Sequence, residues 1–154
     1  MSTVPPSPSD NEQNPVQTNY LNLPKDDSIS SLRRKAAEDV ERMGDGWRIR
    51  WRINTQTLTM AMVESLVIGR ALEGDTDIGL DLTPYGAYHY GVSRHHARLQ
   101  LIDGYMQIED NNSTNGTRVN GWLVTPKQFY RLHNGDEIEF GRLLTVINFE
   151  KPKR

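Results

Sequence analysis

Trp47-Arg48-Ile49-Arg50-Trp51-Arg52-Ile53 alternates apolar and cationic residues without a break. Period two is the side-chain repeat of a β-strand, in which successive side chains leave opposite faces. On an antiparallel strand the Trp and Ile side would pack on a core and the Arg side would meet solvent. Outward from this stretch, short apolar runs recur at Leu58–Val63, Ser65–Ile68, Ala97–Leu101, Met106–Ile108, Leu123, Phe129–Leu132, Ile138–Phe140 and Leu143–Phe149. Turn dipeptides separate them. Asp103-Gly104 and Asn120-Gly121 suit tight type I′ hairpins, and Asn134-Gly135 marks another reversal. Many short strands with regular turns predict an all-β domain, a sandwich, over residues 46–152.

Upstream the composition changes. Residues 1–25 are rich in Pro, Ser, Asn and Gln. Such a stretch buries too little apolar surface to offset chain entropy and is expected to be a disordered tail. Asp26, Asp27 and Ser28 offer N-caps before Ile29, Leu32, Ala36, Val40 and Met43, a spacing ended by Gly44. Residues 26–45 therefore read as a short amphipathic helix or linker.

The bulk numbers narrow the function classes. A chain of 154 residues has room for one buried domain and a tail. Without cysteine, disulfides, thiol catalysis and cysteine-ligated metals are excluded. No run approaches the ~20 apolar residues of a membrane span, and the N-terminus has no apolar leader, so the cytoplasm is the expected location. The Trp47–Ile53 alternation invites a nucleic-acid reading. From Gly46 onward, however, 12 acidic residues balance 13 Lys and Arg, and the whole chain carries a net charge of -2, so no cationic field supports it.

Enzymatic readings fare no better. His95 and His96 are adjacent and on a strand would point apart, so they cannot share a metal. Asp110–Asn115 lacks the acidic spacing of a calcium loop. No glycine-rich nucleotide loop or nucleophile–base pair is evident. Neither cofactor, metal nor catalytic residues are expected.

In a sandwich, loops at one end carry recognition. Three segments between strands are distinctive: Gly69-Arg70, Ser93-Arg94-His95-His96, and Asn111-Asn112-Ser113-Thr114-Asn115-Gly116-Thr117. Singly, each reads as a surface charge, strand residues or turn chemistry. Together they supply a planar guanidinium, hydroxyl donors and exposed backbone amides, the donor set a dianionic phosphate needs.

Gly-Arg, then Ser-x-x-His, then Ser-Thr-Asn-Gly-Thr-x-x-Asn-Gly, then Asn-Gly-Asp-x-Ile-x-Phe-Gly, here Asn134 to Gly141, resembles the forkhead-associated (FHA) domain family over about Gly46 to Phe149. The resemblance implies a sandwich of about eleven strands that binds phosphothreonine on a partner protein. By the same resemblance Arg70 grips the phosphate, Ser93 donates its hydroxyl and Arg94 adds a second contact. Thr114 lines the cleft and Asn115 pairs with the bound peptide's backbone. Gly69, letting the chain turn, His96 and Gly116 would be scaffold. The aromatic segment Asp81–Val92, with Tyr85, Tyr88, His89, Tyr90 and Gly91, together with Asn112 and Ser113, would read residues flanking the phosphothreonine. Packing over the sandwich end is an equal reading of those tyrosines.

The partner so implied is a Ser/Thr kinase or its substrate, and the setting a bacterial-type signalling adaptor. Constitutive protein interaction or dimerisation on the same scaffold is the alternative. Thr3 and Thr18 in the tail raise self-interaction as a further expectation, since a modified tail could reach a cleft.

Overall fold

The structure is a computed structural model and describes residues 41–153. The tail over 1–25, and the proposed helix up to residue 40, lie outside the described residues. Residues 41–44 carry no helical backbone. Met43 is instead buried, and its N–H donates to Gly104 O at 2.7 Å. A compact unit begins at Arg42.

Eleven strands follow: β1 (Arg48–Ile53), β2 (Gln56–Ala61), β3 (Ser65–Gly69), β4 (Leu80–Asp81), β5 (Ala97–Ile102), β6 (Tyr105–Asp110), β7 (Thr117–Val119), β8 (Trp122–Leu123), β9 (Tyr130–Arg131), β10 (Asp136–Phe140) and β11 (Leu143–Glu150). A 3-10 turn over Thr83–Tyr85 follows β4. One sheet has the order β2-β1-β11-β10-β7-β8 and the other β4-β3-β5-β6-β9. All pairings are antiparallel except β3 with β4.

The β1 alternation works as its sequence suggests. Ile49, Trp51 and Ile53 are fully buried and Arg48, Arg50 and Arg52 are exposed. Each such apolar side chain contributes about 1.5–3 kcal/mol on burial. The core between the sheets joins them to Ile68, Leu99, Ile108, Ile138, Phe140 and Ile147. Two hairpins are the turns their dipeptides dictate: Asp103 and Gly104, and Asn120 and Gly121, all have positive φ, as type I′ requires. At Asn134-Gly135 only the glycine is left-handed. β4 and β7 are absent from the sequence reading, being short and without a visible period.

Candidate functional site

β3 ends at Gly69, and the chain leaves it through Arg70. The backbone N–H of Arg70 donates to Ser93 O (3.2 Å) and Arg94 O (3.0 Å), and its Nε to Val92 O (3.3 Å). Arg70 is therefore fastened to the segment that opens β5, while its Nη1 and Nη2 have no hydrogen-bond partner among the described residues. Gly69 does not serve as a turn. Its φ is not positive, and a Cβ there would lie 1.9 Å from Arg94 O. Glycine is needed so that the two segments can touch.

His95, in a turn, and His96, just after it, precede β5 rather than lying on a strand. His96 is fully buried, edge-on to Phe140 with ring centroids 5.7 Å apart. Its Nδ1 accepts from Ser93 N–H (2.9 Å), so the proton sits on Nε2, which donates to Gly116 O at 2.9 Å. One neutral imidazole thus joins the Ser93 loop to the Thr114–Gly116 loop. Burial holds its pKa below the usual 6.5, outweighing the Gly116 carbonyl and Asp110, which act the other way.

Across that bridge, Thr114 N–H donates to Ser93 Oγ at 3.0 Å. The serine hydroxyl has an acceptor site filled, and its own proton has no acceptor among the described residues. Asn115 Nδ2 donates to Gly91 O at 2.9 Å. Its second N–H and its Oδ1 have no partner among the described residues, leaving one donor and one acceptor at the rim. Arg70, Ser93, Thr114 and Asn115 are therefore gathered around the 91–93 backbone. Arg94 is half-exposed, its Nη2 3.8 Å from Asp75 Oδ2.

The residues offered for specificity divide. Tyr88 is 74% exposed and lies over the Arg70 guanidinium at 5.4 Å, forming one wall beside it. Tyr90 and His89 are also exposed. Tyr85 is half-buried and packs on the core. Gly91 is structural: it has a φ of 74°, and a Cβ would meet Asn115 Nδ2 at 2.4 Å. Ser113 turns inward, its Oγ donating to Asp110 Oδ1 (2.5 Å) and accepting from Gly116 N–H (2.9 Å). Asn112, with positive φ, is exposed at the tip of that loop.

Sequence reasoning missed the groups that hold the loops. Asp110, 1% exposed, accepts from Ser113 N–H and Oγ and from Thr117 Oγ1 (2.7 Å), so its carboxylate shapes the polar loop from beneath. An aspartate three residues before a serine was the available signal. Gly141 and Arg142 brace the tyrosine loop: Arg142 N–H donates to Tyr90 O (2.8 Å) and its Nη2 to His89 O (3.0 Å). A Cβ on Gly141 would lie 2.5 Å from Tyr90 O. Asp81 Oδ1 accepts from Ala71 N–H, Thr83 N–H and Thr83 Oγ1, tying the loop's start to the segment after Arg70. Burial raises its pKa, but these donors together outweigh it and hold the carboxyl below 3.8.

An FHA domain model matches residues 66–141, the span that contains each of these loops. The chain carries an FHA domain. Solved FHA domains share its fold. One, studied for phosphothreonine-dependent FHA interactions, is 27% identical with a TM-score of 0.51, and the match covers 66% of this chain and 95% of that one. The FhaA FHA domain, solved in complex with the intracellular domain of Rv3910, is 28% identical at a TM-score of 0.51, covering 66% and 99%. The MEK1 FHA domain, solved with a phosphothreonine peptide of HOP1, is 25% identical at 0.50, covering 65% and 94%. No curated protein matches the chain.

Proposed function

We propose that this FHA domain binds phosphothreonine in a partner protein, with Arg70 and Ser93 on the phosphate, Thr114 lining the cleft and Asn115 on the peptide backbone. The observation that carries this reading is the Thr114 N–H on Ser93 Oγ. It orients a hydroxyl donor beside a guanidinium that is itself fastened through Nε, with a tyrosine face alongside. A phosphate brings roughly -1.5 to -2 charge and three acceptor oxygens, which these donors suit. Arg94 swings from Asp75 to join them once a dianion arrives, since exposed ion pairs are worth little. Tyr88, His89, Tyr90 and Asn112 read the flanking residues.

The role is that of a non-enzymatic adaptor in Ser/Thr kinase signalling, its partner a kinase or a kinase substrate and its location the cytoplasm. The phosphothreonine-dependent interactions of one similar FHA domain and the phosphothreonine peptide complex of another support the ligand class. Among the described residues no helix is long and apolar enough to cross a membrane. Thr3 or Thr18, once phosphorylated, supplies a ligand for the cleft of the same or another copy. Mass spectrometry after kinase treatment, followed by peptide titration, checks this; unchanged peptide affinity rules it out.

Titration with an oriented phosphothreonine library and its phosphoserine and unphosphorylated versions tests the main reading. Two charge-assisted bonds at about 1.5 kcal/mol or more each make Arg70→Ala weaken binding by at least ~100-fold. Equal binding of all three libraries would favour constitutive interaction instead.

A further inference from the structure

Away from the phosphate cleft, the sheet edges are unequal. β8, β4 and β9 close three of the four edges with two residues each, whereas β2 closes the fourth with six. Its sequence, Gln56-Thr57-Leu58-Thr59-Met60-Ala61, has no lysine, proline or other charge to discourage pairing. The antiparallel register fixes which backbone groups are free. Trp47 O accepts from Met62 N–H, and hydrogen-bonded pairs alternate along an antiparallel ladder, so Met60 and Leu58 bond to β1 opposite Ile49 and Trp51. Thr57, Thr59 and Ala61 then point their N–H and C=O groups away from the sheet, and no described residue accepts or donates to them.

The neighbouring strand supplies charge. Arg52, Arg50 and Arg48 stand opposite Thr57, Thr59 and Ala61 on the outer face. Arg50 pairs with Glu150 at 2.9 Å while remaining 48% exposed. Arg48 and Arg52 have no acidic partner among the described residues. Because the threonines are short, the arginines border the grooves beside them: one of about 180 Å³ with Arg50, Arg52 and Thr57 on its walls, another of about 800 Å³ with Arg48, Arg50, Thr57 and Thr59. A strand added to β2 would run ~4.8 Å beyond it, its alternate side chains repeating every ~6.6 Å in step with the three arginines.

We infer that the β2 edge is a second docking surface, which takes an extended partner segment carrying acidic residues at alternate positions. The segment adds to the sheet through the outward backbone groups of Thr57, Thr59 and Ala61, and its carboxylates reach over the threonines to Arg48, Arg50 and Arg52. Main-chain bonding supplies affinity and the arginine row supplies selectivity. A nucleic acid would use the cations but has no need of the strand edge.

Amide exchange on the full 154-residue chain carrying Arg70→Ala separates this surface from the phosphate cleft. The probe is a blocked ten-residue peptide alternating glutamate and valine, with a lysine–valine counterpart and oligodeoxythymidylate as competitor. The expected result is fast exchange at Thr57 and Thr59 in the free protein, slowed at least tenfold by the glutamate peptide alone. Affinity for that peptide should fall at least tenfold in the Arg48→Ala, Arg52→Ala double variant, and the oligonucleotide should not displace it. Slow exchange before any peptide is added would overturn the inference, because the edge would already be covered by the chain's own N-terminal segment or a second copy. Equal binding of both peptides, or displacement by the oligonucleotide, would overturn it as well.

Discussion

Replacing His96 with phenylalanine isolates the bridge on which the cleft depends. The ring stays beside Phe140, but both nitrogens are lost. Ser93 N–H then loses its acceptor in a half-buried position, at a cost of about 1–3 kcal/mol. Gly116 O keeps the N–H of Gly141, 2.9 Å away, so the second loss is nearer the ordinary net value of about 1 kcal/mol. His96→Phe should therefore cost about 2–4 kcal/mol in urea denaturation at pH 7.5.

The same variant should change the pH profile. The folded pKa of His96 lies below its unfolded value because burial disfavours the imidazolium. The stabilisation is thus complete above about pH 6.5 and is lost as pH falls through the lower folded value, where the unfolded chain binds more protons. Protonating Nδ1 would also remove the acceptor for Ser93 N–H. Wild-type stability should drop relative to His96→Phe as pH is lowered from 6.5 to 5. Parallel pH profiles for the two proteins, or a cost below 1 kcal/mol at pH 7.5, would refute the bridge.

Three further outcomes follow from the supports around the site. Gly69→Ala places a methyl 1.9 Å from a backbone oxygen with no flexible neighbour to yield, and should destabilise the domain by about 3 kcal/mol or abolish folding, read by circular dichroism melting. Asp110→Ala removes the acceptor of three hydrogen bonds, so amide exchange at Ser113 and Gly116 should accelerate and phosphopeptide affinity should fall at least tenfold, even though Asp110 touches no ligand. The Asp81 links are present above pH 3.8 and are lost as pH falls through the lower folded pKa. Exchange at Ala71 and Thr83 should accelerate in that acid window in the wild type and be fast throughout in Asp81→Ala.

What the sequence discloses follows from where each determinant lies. β1 and the hairpins at Asp103-Gly104 and Asn120-Gly121 are legible because alternation and a φ > 0 requirement act within a few residues. β4 is not, since two residues in parallel register with β3 leave no periodic trace. At the site, Arg70, Ser93, Thr114 and Asn115 stand out as polar groups between strands, and the chain does bring them together. Asp110 reads as the end of a strand, although its carboxylate is the floor of the polar loop. Arg142, next to Gly141, is 53 residues from the His89 carbonyl it braces, a separation no local pattern crosses. Gly69 was legible as a special position but for the wrong reason: a contact with Arg94 O demands it, not a turn.

Heteronuclear NMR titration with a phosphothreonine peptide selected from the library tests the central claim most directly. The amides of Arg70, Ser93, Arg94, Thr114, Asn115 and Gly116 should shift together and saturate, with weaker or no response to the phosphoserine and unphosphorylated peptides and none in Arg70→Ala. Shifts confined to other surfaces, or the same response from the unphosphorylated peptide, would contradict it.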